Sequence, residues 1–321
     1  MKRRQTFATL IALSLHSRLA LAQKRNVRIG ALGPRQNSIV LAPVMRRLAE
    51  LGYREGSNLT LLFRSADGVT ERFPALAREL IDAKCDLIFA VGAEAAARAL
   101  VDARSPIPIV LLAADYDPVK AGFVTNLRRP GGLVTGISSV AIELAAKRVE
   151  VLRAILPKAN RILVFSDRFT EQQLEATIRA ASVLKIETVV EKFSASPYDF
   201  EAALVRGRDA RVNALVLLSS PNILDQRRQL LELASRHKLP VASGSSSYGD
   251  EGVLFYYSPD LKKGWARAAD IAAIILGGAV PGNIPLELPT HFELAINLRT
   301  AKALGITVPQ AVLLRADRVI E

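Results

Sequence analysis

The stretch "DLIFAVGAEAAARALVDARSPIPIVLLAA" (residues 86–114) decides the fold. "DLIFAVG" (86–92) is a near-continuous apolar run, and so is "IPIVLLAA" (107–114). Runs of that length suit strands buried on both faces, as in a parallel sheet. Between them a single glycine, Gly92, turns the chain into the alanine-rich helix that begins near Glu94. The helix N-terminus, with its free N–H groups, therefore points out of the carboxyl end of the strand. An anion is the usual guest there, yet the first acidic group is the chain's own Glu94.

The same alternation runs through most of the chain. "VRIGALG" (27–33) and "LTLLF" (59–63) read as strands before it. "RILVFS" (161–166), "ETVVEKF" (187–193), "ALVLLSS" (214–220) and "PVASG" (240–244) read as strands after it. Val44, Leu48 and Leu51 mark an amphipathic helix with Gly52 as its stop, and Pro43 predicts that this helix starts late or kinks. Leu76, Leu80 and Ile81 mark a second helix. Leu174, Ile178, Ala181 and Leu184 mark a third, and Leu230, Leu233 and Ala234 a fourth. The two series are separated by "NLRRPGGLVTGISS" (126–139), which Pro130-Gly131-Gly132 breaks. A second Gly/Pro-rich stretch at 277–289 suggests another crossing. The expected architecture is α/β, with two Rossmann-like lobes built on parallel sheets.

Ligands of open parallel sheets bind beyond the carboxyl ends of the strands. Here those ends carry small and polar residues. They include Gln36, Asn37 and Ser38; Gly92, Ala93 and Glu94; and Asp115, Tyr116 and Asp117. In the second series they include Ser166, Asp167, Ser220, Asn222 and Ser245. Any one of these could be an ordinary turn. Six such loops at the same end of two sheets point to a cleft for a small polar molecule.

The chain has 321 residues, 50% hydrophobic and 23% charged, which is a globular balance long enough for two domains. Residues 1–22 read as a cleaved export signal: basic Lys2, Arg3 and Arg4, the apolar "FATLIALSL", and Ala20-Leu21-Ala22. The formal charge of +12 includes four basic residues of that segment, which leaves about +8 for the rest. Those charges are scattered among acids without aromatic interleaving, so nucleic acid is not an expected partner. Cys85 is the only cysteine; no disulfide within the chain is expected, and no lipid anchor near residue 22. These readings point to a Gram-negative periplasm.

Motifs for chemistry are missing. His237 and His291 have no serine–acid partner nearby in sequence, and "SGSSSYG" (243–249) lacks the nucleophile elbow. No phosphate loop, dinucleotide fingerprint or zinc spacing occurs, so neither an enzyme nor a metal or other cofactor is expected.

"LAELGYREGSNLTL" (48–61), "LRRPGGLVTGIS" (127–138), "ELAAKRVEVLRAILPKANRILV" (143–164) and "PTHFELAINLRTAKALGITVPQAVLLRADRVIE" (289–321) resemble the substrate-binding proteins of ABC transporters. The subgroup includes binders of tryptophan and other aromatic amino acids. The resemblance implies a type I periplasmic-binding-protein fold, two lobes joined by three crossovers that close over the ligand. It implies a first lobe at 27–139 plus 258–282 and a second at 140–257 plus 283–321. "LFYYSPD" (254–260) becomes the third crossing, with Tyr257 near the cleft. It implies a monomer that delivers a small-molecule ligand to an inner-membrane permease. A periplasmic partner of a membrane sensor is the alternative, and a hydrolase a more distant one. Related turns after the third strand carry a hydroxyl-bearing motif that can hold a carboxylate; Ala93 and Glu94 replace it here. Glu94 is thus either a helix cap or a cleft residue that favours an amine over a carboxylate.

Overall fold

The computed structural model describes residues 26–35, 38–113, 116–139, 142–194, 197–249 and 251–321. The expected export segment, Gln36, Asn37 and Asp115 lie outside these, as does the side chain of Ser38.

The first sheet comprises β1 (Val27–Gly33), β2 (Leu59–Ser65), β3 (Leu87–Gly92), β4 (Ile109–Ala113) and β5 (Val134–Ser138). All are parallel, in the order β2-β1-β3-β4-β5. Its helices are α1 (Ser38–Glu50), α2 (Phe73–Asp82) and α3 (Glu94–Asp102). The continuous apolar runs are explained by two cores. Leu87, Phe89, Val91, Val110 and Leu112 feed one face of the sheet, while Ile88, Ala90, Ile109, Leu111 and Ala113 feed the other. Successive side chains of a strand point to opposite faces, so both faces must be apolar when helices cover both.

Two local expectations change. α1 does not start late: it begins at Ser38 and runs through Pro43. That proline stands one turn inside the helix, where its missing N–H removes a single early hydrogen bond. The segment 126–139 is not all linker: β5 follows the Pro-Gly-Gly break directly. Gly136 hid this strand, because its role is contact. A Cβ there would lie 2.3 Å from the Leu111 carbonyl oxygen of β4, and its φ is +143°.

The second sheet comprises β6 (Arg161–Asp167), β7 (Glu187–Phe193), β8 (Ala214–Leu217), β9 (Val241–Ser243), β10 (Phe255–Pro259), β11 (Phe292–Asn297) and β12 (Arg318–Ile320). The order is β12-β11-β10-β9-β8-β6-β7. β11 runs antiparallel to β10, the one departure from parallel pairing among the described strand pairs. The helices α4 (Glu143–Ile155), α5 (Glu171–Val183), α6 (Phe200–Asp209), α7 (Pro221–Asp225) and α8 (Arg227–Arg236) accompany it. On α5 the inward stripe is Leu174, Thr177 and Ala181, and Ile178 faces solvent.

After β10 the chain returns to the first sheet. α9 (Leu261–Leu276) buries Trp265, Ala268 and Ala272 in the core that also holds Ile29 and Phe89. Asp270 of α9 accepts a 2.7 Å bond from Arg47 Nε of α1. Residues 284–287 then lie beside β5: Thr135 Oγ1 donates to the Ile284 carbonyl at 2.8 Å, and Glu287 bridges to Ile137. β11 therefore enters the second sheet from the end where β10 leaves it, which is why it runs backwards. α10 (Leu298–Ala303) and α11 (Gln310–Leu313) complete the chain before β12.

Five helices stop on a basic residue in the left-handed region. Lys84, Arg104, Lys185, Arg211 and Lys238 have φ of +50° to +57° and follow α2, α3, α5, α6 and α8. A cation there complements the negative end of the helix dipole.

Candidate functional site

The carboxyl ends of the two sheets meet across a cleft. Arg35 follows β1, and its Nε donates to Asn222 Oδ1 of α7 at 2.8 Å, with Asp225 Oδ2 at 3.5 Å. Arg168 follows β6, and its Nη1 lies 3.4 Å from Thr70 Oγ1 and 3.7 Å from Glu71 Oε2, both beyond β2. Gly68, in the same loop as Thr70, comes so close to Asn222 that a Cβ on it would sit 3.6 Å from the amide.

A cavity of about 380 Å³ opens between these lips. Thr70, Ala93, Glu94 and Arg98 line it from the first sheet's side, and Arg168, Phe169, Glu171 and Gln172 from the second's. Gly92, with φ +76°, makes the turn that brings Ala93 and Glu94 there. Glu94 opens α3 and accepts a 3.0 Å bond from Arg98 Nη2, one helical turn on. Arg98 is held in turn by the Ala121 carbonyl at 2.7 Å and by the face of Phe123. Glu94 thus faces the cavity as half of an ion pair.

On the second side a buried polar network is organised around Asp167, at the end of β6, and its side chains do not themselves line the cavity. Only 3% of Asp167 is exposed. Oδ1 accepts from the Phe169 N–H at 3.0 Å. Oδ2 accepts from Ser220 Oγ and, at 2.9 Å, from the Tyr198 hydroxyl. Burial raises the Asp167 pKa above the ordinary carboxylate value, and these hydrogen bonds oppose the rise. Burial likewise raises the Tyr198 phenol. Asn222 Nδ2 donates to the Tyr198 oxygen at 2.9 Å. Since Tyr198 spends its proton on Asp167, it can only accept from Asn222. The amide carbonyl is thereby turned toward Arg35.

The remaining expected residues do other work. Ser220 caps α7 by accepting from the Ile223 N–H. Ser166 is buried and bonds Thr170 Oγ1 at 3.0 Å. Ser245 caps the short turn at 246–248. Asp117 accepts from the Val119 N–H at 2.9 Å, so it ties its own turn. Tyr116 is not at a rim: it is buried edge-on against Phe123 in the first sheet's core. Tyr257 lies in β10, half-buried, with its ring near Phe292. Arg148 of α4 is also buried. Its guanidinium carbon lies 2.7 Å from where a Cβ on Gly244 would stand, so only glycine leaves it room.

Arg35 and Arg168 stand next to strand-end residues singled out from the sequence, Gln36 and Asp167, but a charged loop residue carries no sign of what it will meet. Nothing in the strand-end pattern singles out Thr70, Tyr198 or Asp225. The "ADG" turn after β2 (66–68) was the one available hint for the Thr70 loop. Among the described residues no cluster of acids, histidines or cysteines could hold a metal ion, and no helix is long and apolar enough to cross a membrane.

This arrangement matches known proteins. The family model described as "ABC transporter substrate binding protein" covers residues 40–320. A tyrosine-binding protein of Clostridioides difficile is 27% identical over 266 residues, 82% of this chain and 75% of that one. The crystal structure of a conserved domain protein from Vibrio cholerae superposes with a TM-score of 0.81 at 26% identity, covering 92% of this chain and all of the other. A Streptococcus pneumoniae ABC domain in complex with L-Trp superposes with a TM-score of 0.77 at 23% identity, again over 92% and 100% of the two chains. The fold is that of the type I periplasmic binding proteins, and the chain belongs to the ABC transporter substrate-binding protein family.

Proposed function

We propose that this protein captures a small polar solute in the cleft between its two lobes and presents the closed form to an ABC permease. The cavity lined from both sheets is the observation that carries the reading. A volume of about 380 Å³ falls in the range of small-molecule sites. Its charged and hydroxyl-bearing lining favours a polar guest over an apolar one. A solute touching both sides binds the closed form better than the open one and shifts the population toward it. Family membership makes the role one of binding rather than catalysis.

In place of the 258–282 and 283–321 bounds expected from the resemblance, we propose a first lobe of 27–139 with 260–287, since residues 284–287 lie beside β5, and a second of 142–259 with 292–321. The hinge then consists of the three connections between sheets. We further propose that the protein acts as a monomer, exported through residues 1–22 and free in a periplasm. Glu94, Arg98 and Arg168 are the side chains proposed to contact the solute.

A thermal-shift panel tests the reading. L-Tyr and L-Trp come first, because a relative in sequence is a tyrosine-binding protein and a structure of similar fold holds L-Trp. Amines, other amino acids and polyols follow, because Glu94 stands where a carboxylate would otherwise be welcomed. A binder at 100 times its dissociation constant should add about 2.7 kcal/mol of stability. A panel without a single shift, or turnover of the compound that shifts, defeats the proposal.

A further inference from the structure

We infer that the mouth of the cleft carries a built-in clasp, made of Arg35 reaching onto Asn222 and Asp225 and of Arg168 reaching back onto Thr70 and Glu71, which sets how much of the ligand-free protein is closed.

The two halves are reciprocal. Each lobe offers one arginine and receives the other on hydroxyl, amide or carboxylate oxygens. Their place in the fold gives them leverage. The first sheet has the order β2-β1-β3-β4-β5, and its connections to the second sheet leave from β5 and run beside it. Arg35, Thr70 and Glu71 follow β1 and β2, at the opposite edge. Contacts at that distance from a hinge must break before any appreciable opening.

The receiving surface is also pre-set. The buried Asp167 accepts the Tyr198 hydroxyl hydrogen bond, Tyr198 then accepts from Asn222, and Asn222 holds its carbonyl oxygen outward. An arginine meets that oxygen without the amide having to choose an orientation. Gly68 permits the approach, since its φ of +79° and its lack of a Cβ let the loop lie against Asn222.

The inference rests on reading the chain as a two-lobe clamp, but its test uses no solute. Nitroxide labels are placed at Ala75→Cys on α2 and Val183→Cys on α5, both exposed, while Cys85 is buried and stays unlabelled. Pulsed electron–electron resonance then reads the distance between lobes in the ligand-free protein. The wild type should show mainly the short distance. Arg35→Met with Arg168→Met should lower the closed-to-open ratio about tenfold, with the long distance growing at its expense. Exchanging the charges, Arg168→Glu with Glu71→Arg, should restore part of the short population that Arg168→Glu alone loses. These are partly exposed surface side chains, so unchanged circular dichroism is expected throughout. Distance distributions that are identical in the wild type and the double methionine variant would overturn the clasp. So would a charge exchange no better than the single reversal. The thermal-shift panel reads solute binding whether or not the clasp exists, so the two proposals fail in different experiments.

Discussion

Asn222 is held between Arg35 of one sheet and Tyr198 of the other, accepting from the first at 2.8 Å and donating to the second at 2.9 Å. Removing the Tyr198 hydroxyl breaks this chain at its middle. Tyr198→Phe keeps the ring, which stacks on Phe193 at 4.6 Å, and so preserves the packing. It leaves the Asn222 amide N–H without its acceptor and takes one donor from the buried Asp167. We expect a loss of about 1–2 kcal/mol in urea unfolding, the usual cost of stranding a buried polar partner. A loss below about 0.3 kcal/mol would show that the hydroxyl does not organise this buried network.

Asp167 should leave a signature in the pH dependence of stability. Burial raises its pKa in the folded protein above the unfolded carboxylate value of 3.8. The folded state therefore holds this proton more tightly. The resulting contribution is complete below the unfolded value and is lost as pH rises through the raised native one. Asp167→Asn cannot ionise. It loses hydrogen bonds whose cost does not depend on pH, so only the slope is diagnostic. From about pH 4 to pH 7, the melting temperature of the variant should rise relative to that of the wild type. Melts in matched buffers measure this. A flat difference, or one that moves in favour of the wild type, contradicts the assignment.

Gly136 and Gly132 make a paired test of why a glycine is present. At Gly136 a Cβ would sit 2.3 Å from one backbone atom of Leu111 and 2.4 Å from another, and that backbone is held between β3 and β5. At Gly132 nothing lies within 4 Å, and only its φ of +65° resists a side chain. Gly136→Ala should cost about 3 kcal/mol or more, or prevent folding. Gly132→Ala should cost about 1 kcal/mol. Equal losses in chemical denaturation would mean that β4 and β5 do not pack as closely as described.

Most strands are legible because burial on both faces demands an unbroken apolar run, and the run at 27–33 ends where β1 does; β7, at the sheet edge with no fully buried residue, is legible instead from its β-branched Thr188, Val189 and Val190. β5 was not legible: Gly136, the residue that lets it approach β4, reads in sequence as a breaker. β12, three residues with only Ile320 buried, has too little apolar content to stand out. Several helix ends were obscure for a related reason. A reader looks for glycine as the stop, and here Lys84, Arg104, Lys185, Arg211 and Lys238 take the left-handed position. Of the strand-end residues, Ala93 and Glu94 line the cavity, while Asp167, Ser220 and Asn222 are buried beside it. The strand-end rule could not tell a residue facing the cavity from one turned inward, as Tyr116 is, because both follow the same strand-end turn. Nor could it find Tyr198, which comes from the loop after β7 and reaches Asp167 only through tertiary packing.

The environment of Glu94 makes a separable prediction. Its carboxylate is partly exposed and bonded to Arg98 one turn along α3, an arrangement worth little to folding when solvent screens it. Glu94→Gln should therefore change unfolding stability by no more than about 0.5 kcal/mol. The same group lines the cavity opposite Arg168, so the substitution alters the field that a bound solute meets. For a solute with a cationic group near α3, affinity should fall about tenfold, equivalent to about 1.4 kcal/mol. Calorimetric titration of the compound identified by thermal shift, run on wild type and variant, reads the two effects separately. Unchanged affinity with unchanged stability would confine Glu94 to pairing with Arg98. A large loss of stability would show that the pair braces the helix, contrary to the exposure of both partners.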